Sequence, residues 1–336
     1  MTSPVAGVPA SFVIPDILSS WPFQRVDNPA LALVQSSHRK WFQSLKTNAK
    51  YQKTFEGCNA PLLCSIAYPF APASHVRIGA DLLLLEFLID DIADHLSPGE
   101  ASRFAGVIRD VLKNPGTKRP DGEDTIGAIV QDFWLRASSE ASHTFIWKLR
   151  KELIGYVDAI CQEGVDRDSG QARDLDSYMQ LRKTAIGVLP AISVCLHNID
   201  IPRDVLLDPK ILELETLAGR MAFLTNDMTS YNVEQARGDD LLNSVALLIR
   251  TEKMPVQDAF DAVADKFRIY THEFLAIMRT LPLDSDPSLK AYVHCMGYWV
   301  TAAHEWAFEV GRYRLNSAAR SGGRVFLLPK KIKDEA

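Results

Sequence analysis

Residues 76–95 read VRIGADLLLLEFLIDDIADH, and this stretch decides the fold class. Its centre, LLLLEFLI, is hydrophobic nearly all round at helical periodicity. A helix without a wet face belongs at the centre of a bundle. The run then ends in Ile89-Asp90-Asp91-Ile92-Ala93-Asp94-His95. Four residues advance a helix by about 400°, so Asp90 and Asp94 share nearly one face. Carboxylates crowded at the C-terminal end of a buried helix oppose one another and the negative end of the helix dipole. Hard divalent ions with oxygen ligands, Mg²⁺ above all, relieve that arrangement. Taken alone, the motif fits an exposed acidic helix end equally well.

Outward from this segment the helical period continues and period-two strands are scarce. Helices are expected over 28–47, 100–113, 124–139, 141–163, 174–198, 208–236, 240–251, 255–281 and 286–316. Breakers separate them: Asn114-Pro115-Gly116, Pro120-Asp121-Gly122, Pro202, Gly238, Pro282 and the polar stretch 164–174. Pro190 should break or kink the segment that contains it. The polar stretches 164–174 and 236–240 are candidate moving loops. No linker, repeat or low-complexity segment divides the chain. The expected fold class is all-α, a helical bundle.

A second cluster lies at 226–234, Asn226-Asp227-Met228-Thr229-Ser230-Tyr231-Asn232-Val233-Glu234. Asn226, Ser230 and Glu234 are spaced four and four, and all three offer oxygen, so together they could hold one Mg²⁺. In isolation the triplet is equally a polar helix face. Two arginines stand near apolar segments. Arg182 precedes the uncharged stretch 184–198, and Arg312-Tyr313 follows a segment rich in aromatic residues. The planar guanidinium fork suits phosphate better than lysine does, although each arginine alone fits a structural salt bridge.

Composition narrows the alternatives. The chain has 336 residues, 47% hydrophobic and 24% charged, which excludes a disordered polymer. A net charge of −5 and a pI near 5.9 argue against a general nucleic-acid binder. Any anionic ligand must be held by local charge or by metal ions. Five cysteines without a CxxC pair suggest neither a disulfide framework nor a zinc site. The N-terminus lacks the pattern of a signal peptide, and no uncharged run is long enough to insert stably in a membrane. A cytoplasmic protein is expected.

Taken together, these residues resemble class I terpene synthases, over nearly the whole chain. The family's DDxxD motif is matched by Asp90, Asp91 and Asp94. Its NDxxSxxxE motif is matched by Asn226, Asp227, Ser230 and Glu234. Its diphosphate-sensing arginine falls some forty-odd residues before the second motif, as Arg182 does, and its late Arg-Tyr pair some eighty-odd after, as Arg312-Tyr313 does. Phe12-Val13-Ile14-Pro15-Asp16, Trp21-Pro22-Phe23, Ala67-Tyr68-Pro69 and Asn243-Ser244-Val245 look like the fungal sesquiterpene cyclases of the basidiomycete type. Within these, the chain looks most like the enzymes that close the 1,11 ring. Two positions depart from the family pattern: Val233 where a diphosphate-binding lysine is frequent, and Gly311 where serine is common.

The resemblance implies one domain over 1–336, the class I terpenoid synthase bundle around a central cavity. Residues 1–27 would pack over the bundle, and 317–336 would form a C-terminal tail. It implies a carbon–oxygen lyase that ionises farnesyl diphosphate and cyclises the farnesyl cation to a sesquiterpene hydrocarbon or alcohol. Asp90 and Asp94 would bind two Mg²⁺, and Asn226, Ser230 and Glu234 a third. Arg182, Arg312 and Tyr313 would bind the diphosphate. The effector carbonyl falls at Ile186 or Gly187, and Tyr68, Phe87, Phe223, Trp299 and Trp306 are candidates for the pocket wall. A homodimer is compatible with this reading. The alternatives are a synthase for geranyl or geranylgeranyl diphosphate, a chain-elongating prenyl transferase and, more remotely, a non-catalytic helical interaction protein. The second motif disfavours the prenyl transferase, which carries a second aspartate-rich one. The lack of repeats counts against the interaction protein.

Overall fold

Residue preferences at the helix ends set the lengths of the elements. The computed structural model describes residues 11–170, 173–315 and 317–330. The helices of the N-terminal half are α1 (Leu31–Ser44), α2 (Ala49–Cys58), α3 (Ala60–Ala67), α4 (Ala73–Ala93), α5 (Pro98–Lys113), α6 (Thr125–Ser138) and α7 (His143–Ser169). Those that follow are α8 (Leu175–Ala185), α9 (Val188–Ser193), α10 (Arg203–Leu206), α11 (Pro209–Arg237), α12 (Ser244–Thr251), α13 (Val256–Met278), α14 (Pro287–Ala307) and α15 (Ser317–Arg320). Ser97 and Glu100 form a capping box at the start of α5, and Asp208 caps α11 ahead of Pro209. Gly238 ends α11 in the left-handed region at φ 78°.

The all-round apolar α4 lies at the centre. Leu82, Leu84, Leu85, Leu88 and Ile89 are buried, and the helix touches α1, α2, α3, α6 and α7. Opposite it, α11 packs on α8, α12, α13 and α14, and α14 closes back on α3. One apolar cluster links these helices without interruption. The facing helices α4, α7, α8, α11 and α14 therefore surround a common interior.

Several expectations need correction. The helices α2 and α3 were not expected, and α3 is buried at every residue. The stretch 164–174 is not wholly a loop, because α7 continues to Ser169 and its Asp166 pairs with Arg173. Residues 171, 172 and 236–240 divide differently: the first two lie outside the described residues, and 236–237 still belong to α11. The break in 174–198 falls at Gly187, not Pro190. Gly187 has φ 78°, whereas Pro190 sits in the first turn of α9, where its missing N–H removes no helical bond. The expected helix 286–316 stops at Ala307, and a 3₁₀ turn over Gly311–Tyr313 follows.

The described part of the N-terminal segment packs over α13 and α14. Phe12 stacks on Phe260 at 4.3 Å, the Trp21 indole N–H donates to the Gly297 carbonyl, and the Thr301 hydroxyl donates to that of Phe23. Phe23 lies so close to Gly297 that a Cβ there would come within 2.4 Å of its ring. β1 (Ser11–Phe12) pairs antiparallel with β2 (Val325–Phe326), so this segment is tied to the C-terminal tail. Cys195 and Cys295 form a disulfide, against the expectation of none. They are 100 residues apart in sequence, and only the packing of the turn after α9 on α14 brings them together. Among the described residues, no helix is long and apolar enough to cross a membrane.

Candidate active site

The interior surrounded by these helices is a cavity with two chemically different ends. Its polar end carries Asp90 from α4, Arg182 from α8, Asn226, Ser230 and Glu234 from α11, and Arg312 and Tyr313 from the 3₁₀ turn. Phe87, Ile186, Gly187, Trp299 and Trp306 also line it. Aromatic contacts join Arg312 and Tyr313 through Phe87 and Trp306. Arg312 lies over the Phe87 ring at 5.1 Å, Phe87 stacks on Trp306 at 5.7 Å, and Trp306 meets Tyr313 edge-on at 5.8 Å.

At the polar end one network ties the two arginine-bearing segments to α11. Arg182 donates to Asn226 Oδ1 at 3.1 Å and pairs with Glu163 of α7 at 3.2 Å. The Asn226 amide donates to the Tyr313 hydroxyl at 2.9 Å. The Arg182 Nε is buried without a hydrogen bond, 4.0 Å from Asp227 Oδ1. Burial works against the charge of Arg182, but Glu163, Tyr178 and Asp227 outweigh it, and the guanidinium remains a cation facing the cavity.

Burial, then the neighbouring Asp94 charge, pushes Asp90 up to about 6, while Arg312 and Arg182 pull the other way. Burial, then repulsion from Asp227, pushes Glu234 up to about 8. The protein's own cations leave these carboxyls short of positive charge. The donor set around them consists of oxygens from Asn226, Ser230, Glu234 and Asp90, which is hard-ion chemistry. Among the described residues no three His, Cys, Asp or Glu side chains form a ready metal cage. The oxygen donor set itself fits Mg²⁺, which takes one or two protein carboxylates and its other ligands from water and phosphate.

Three sequence candidates lie elsewhere. Asp94 does not line the cavity but pairs with Arg167 of α7 at 3.1 Å, at the rim. Phe223 is fully buried with its ring edge-on to Tyr178, as core, and does not line the cavity. Tyr68 is also core: its ring meets Trp299 edge-on and its hydroxyl donates to the Ala191 carbonyl. Asp91, the middle acid of the motif, accepts from the Thr54 hydroxyl at 2.6 Å and faces Arg312 at 3.7 Å. It ties the end of α4 to α2 and to the arginine turn.

Sequence reasoning gave no individual role to four contributors. Asp227 is sealed in, accepting from the Tyr178 hydroxyl and the Ser244 amide, each at 2.8 Å. Asn243 donates to the Asp227 carbonyl and to Glu234, each at 2.9 Å. Glu163 anchors Arg182. Glu86 lines the cavity one turn before Asp90. Asp227 and Asn243 stood inside stretches already singled out, Glu86 stood out as the lone acid inside LLLLEFLI, and Glu163 carried no readable signal.

Known proteins share this chain's sequence pattern and fold. Residues 81–273 match the model of terpene synthase family 2, C-terminal metal binding. The chain is 34% identical to a delta(6)-protoilludene synthase of Stereum hirsutum, covering 90% of this chain and 87% of that one. It is 31% identical to sesquiterpene synthase 9 of Postia placenta, covering 91% and 90%. The solved structure of a cucumene synthase carrying one substitution superposes with a TM-score of 0.76 at 21% identity, covering 85% of this chain and 98% of that one. The fold is thus that of the terpene synthases, and the chain belongs to that family, among the fungal sesquiterpene synthases.

Proposed function

We propose that the protein is a Mg²⁺-dependent sesquiterpene synthase acting on farnesyl diphosphate, with three ions bound in the working state and 1,11-closure as the first cyclisation. One observation carries the reading: Arg182, Arg312 and Tyr313 face the same end of the cavity as Asp90, Asn226, Ser230 and Glu234, while aromatic and aliphatic side chains form most of the remaining wall, with Glu86 among them. An isoprenyl diphosphate has that polarity, anionic at one end and apolar along its length.

Asp90 would hold the ions of the first cluster, joined by Asp94 once its pair with Arg167 opens. Asn226, Ser230 and Glu234 would hold the third. When bound, Mg²⁺ supplies the Lewis acidity that stabilises departing diphosphate. Arg182, Arg312 and Tyr313 donate hydrogen bonds to the same anion, where charge develops as the allylic C–O bond breaks. Phe87, Trp299 and Trp306 exclude water and offer ring faces to the cation, each worth about 0.5–2 kcal/mol. Ile186 and Gly187 stand where the helix breaks, at the cavity wall. The described chain acts as one catalytic domain, since its site draws on helices from α4 to α14 and on the turn beyond.

The test is direct. Purified protein given farnesyl diphosphate and Mg²⁺ should release a C15 hydrocarbon or alcohol, seen by gas chromatography with mass spectrometry. Asp90→Asn and Asn226→Ala should each cut turnover by about a hundredfold or more while leaving helical circular dichroism intact. No turnover by folded wild type with C10, C15 or C20 diphosphates would overturn the reading.

A further inference from the structure

Glu86 is a carboxyl that the diphosphate site does not use. It is 5% exposed, lines the cavity one turn before Asp90, and its Oε1 is buried without a hydrogen-bond partner. No arginine, lysine or histidine pairs with it among the described residues, in contrast to Asp94, Glu163 and Glu215, each of which has a cation within 3.2 Å. The carboxyl lies against Gly187: a Cβ built there would come within 2.9 Å of Oε2. The missing side chain at the α8–α9 break thus makes the room that Glu86 occupies. The Tyr156 hydroxyl donates to the Glu86 backbone carbonyl at 2.9 Å and holds this turn of α4 in place.

A buried carboxyl without a cation or donor beside it is disfavoured as an anion. Burial alone raises the proton affinity of Glu86 well above that of an ordinary glutamate. The group is therefore an acid with its proton in place, facing the apolar part of a pocket that holds alkenes and cations.

From this geometry we infer that Glu86 is a proton donor to a neutral hydrocarbon intermediate during cyclisation. This rests on the synthase reading above. The first cyclic cation loses a proton to an oxygen of the released diphosphate, and the C–H electron pair becomes a C=C bond, leaving a neutral cyclic polyene. The Glu86 O–H bond then breaks. An alkene π pair takes the proton as a new C–H bond, the adjacent carbon becomes cationic, and Glu86 is left as the carboxylate beside it. After further ring closure the carboxylate removes a proton from a carbon next to the final cation. That C–H pair forms the product double bond, and Glu86 regains its proton.

The experiment runs wild type, Glu86→Gln and Glu86→Asp with farnesyl diphosphate and Mg²⁺ in H₂O and in D₂O, reading product mass and diphosphate release together. Wild type in D₂O should give a product one mass unit heavier, because the Glu86 proton exchanges with solvent between turnovers. Glu86→Gln keeps the shape but has no acidic proton. Its products should shift to a less cyclised, unlabelled hydrocarbon, with the wild-type product down about a hundredfold or more. Glu86→Asp should recover part of the label. Infrared spectra of the free proteins should show a protonated-carboxyl C=O stretch in wild type that Glu86→Gln lacks. Unlabelled wild-type product, or an unchanged labelled product from Glu86→Gln, overturns this inference and leaves the synthase reading intact. A folded wild type that releases no diphosphate overturns both.

Discussion

Asn243 should stabilise the second motif more than any single residue within it. Its side chain is fully buried. The Oδ1 accepts from the amides of Val245 and Ala246, capping α12. The Nδ2 donates to the Asp227 carbonyl and to Glu234 Oε2, each at 2.9 Å. Asn243→Ala removes the cap, worth about 1 kcal/mol. It also removes two buried hydrogen bonds, one of them to a carboxyl, together worth about 2 kcal/mol. The expected loss is about 3 kcal/mol. With roughly 2.1 cal/mol/K of unfolding entropy per residue over 336 residues, that lowers the thermal midpoint by about 4 °C. Urea titration followed by circular dichroism measures the free energy, and a melt measures the midpoint. Asn243→Asp separates the contributions, because it keeps the cap acceptor but loses both donors and sets a second acid beside Glu234. It should remain at least as unstable as the alanine variant at neutral pH. A loss below about 0.5 kcal/mol in Asn243→Ala would refute the reasoning, since a fully buried four-bond side chain cannot be that cheap to delete.

Other perturbations test the frame around the site. Gly187→Ala forces a side chain into φ 78° and drives its Cβ within 2.9 Å of Glu86; it should cost about 1–2 kcal/mol from the backbone alone, and a melt indistinguishable from wild type would contradict the packing. His75 is held neutral, its value lowered to about 4 by burial and then by His197. The unfolded chain takes up that proton below about 6.5 and the folded one does not, so stability is full above 6.5 and falls as pH drops towards 4, by about 2–3 kcal/mol. His75→Gln should flatten that slope in urea titrations, and an equal slope in the variant would assign it elsewhere. Reducing the Cys195–Cys295 disulfide, which spans 100 residues, should lower the midpoint by an amount equivalent to about 2–4 kcal/mol; Cys195→Ser should show the same value with no further response to reductant.

How much of this was legible depended on whether the information was local. The α4 run and the clustering of Asn226, Ser230 and Glu234 could be read because helical period and four-residue spacing bring their side chains onto one face without help from the rest of the chain. The break at Gly187 could not. A proline stands three residues later and looked the stronger breaker, yet proline is harmless in a first turn, whereas a residue without Cβ was required beside Glu86. Asp94 shows the opposite failure. Its spacing from Asp90 is right, but α4 ends there, and Arg167 from the continued α7 competes for it. Phe223 and Tyr68 have the aromatic character of a pocket wall, and only packing tells which side of a helix faces the core. The disulfide was beyond reach because nothing local links Cys195 to Cys295.

The same distinction explains why the acid at position 86 matters. Sequence spacing treats Glu86, Asp90 and Asp94 as a single acidic ladder on one helix. The structure gives the three rungs different surroundings: Asp94 at the rim against Arg167, Asp90 between two arginines at the polar end, and Glu86 deeper, against glycine and without a cation. Charge compensation falls step by step towards the apolar interior. A metal or an arginine can hold the outer two as anions. The innermost has no such partner, so its stable form is the protonated one, and a carboxylic acid facing alkenes is a reagent rather than a ligand. Substituting Glu86 should therefore change which hydrocarbon leaves the pocket, whereas substituting Asp90 should change whether any forms.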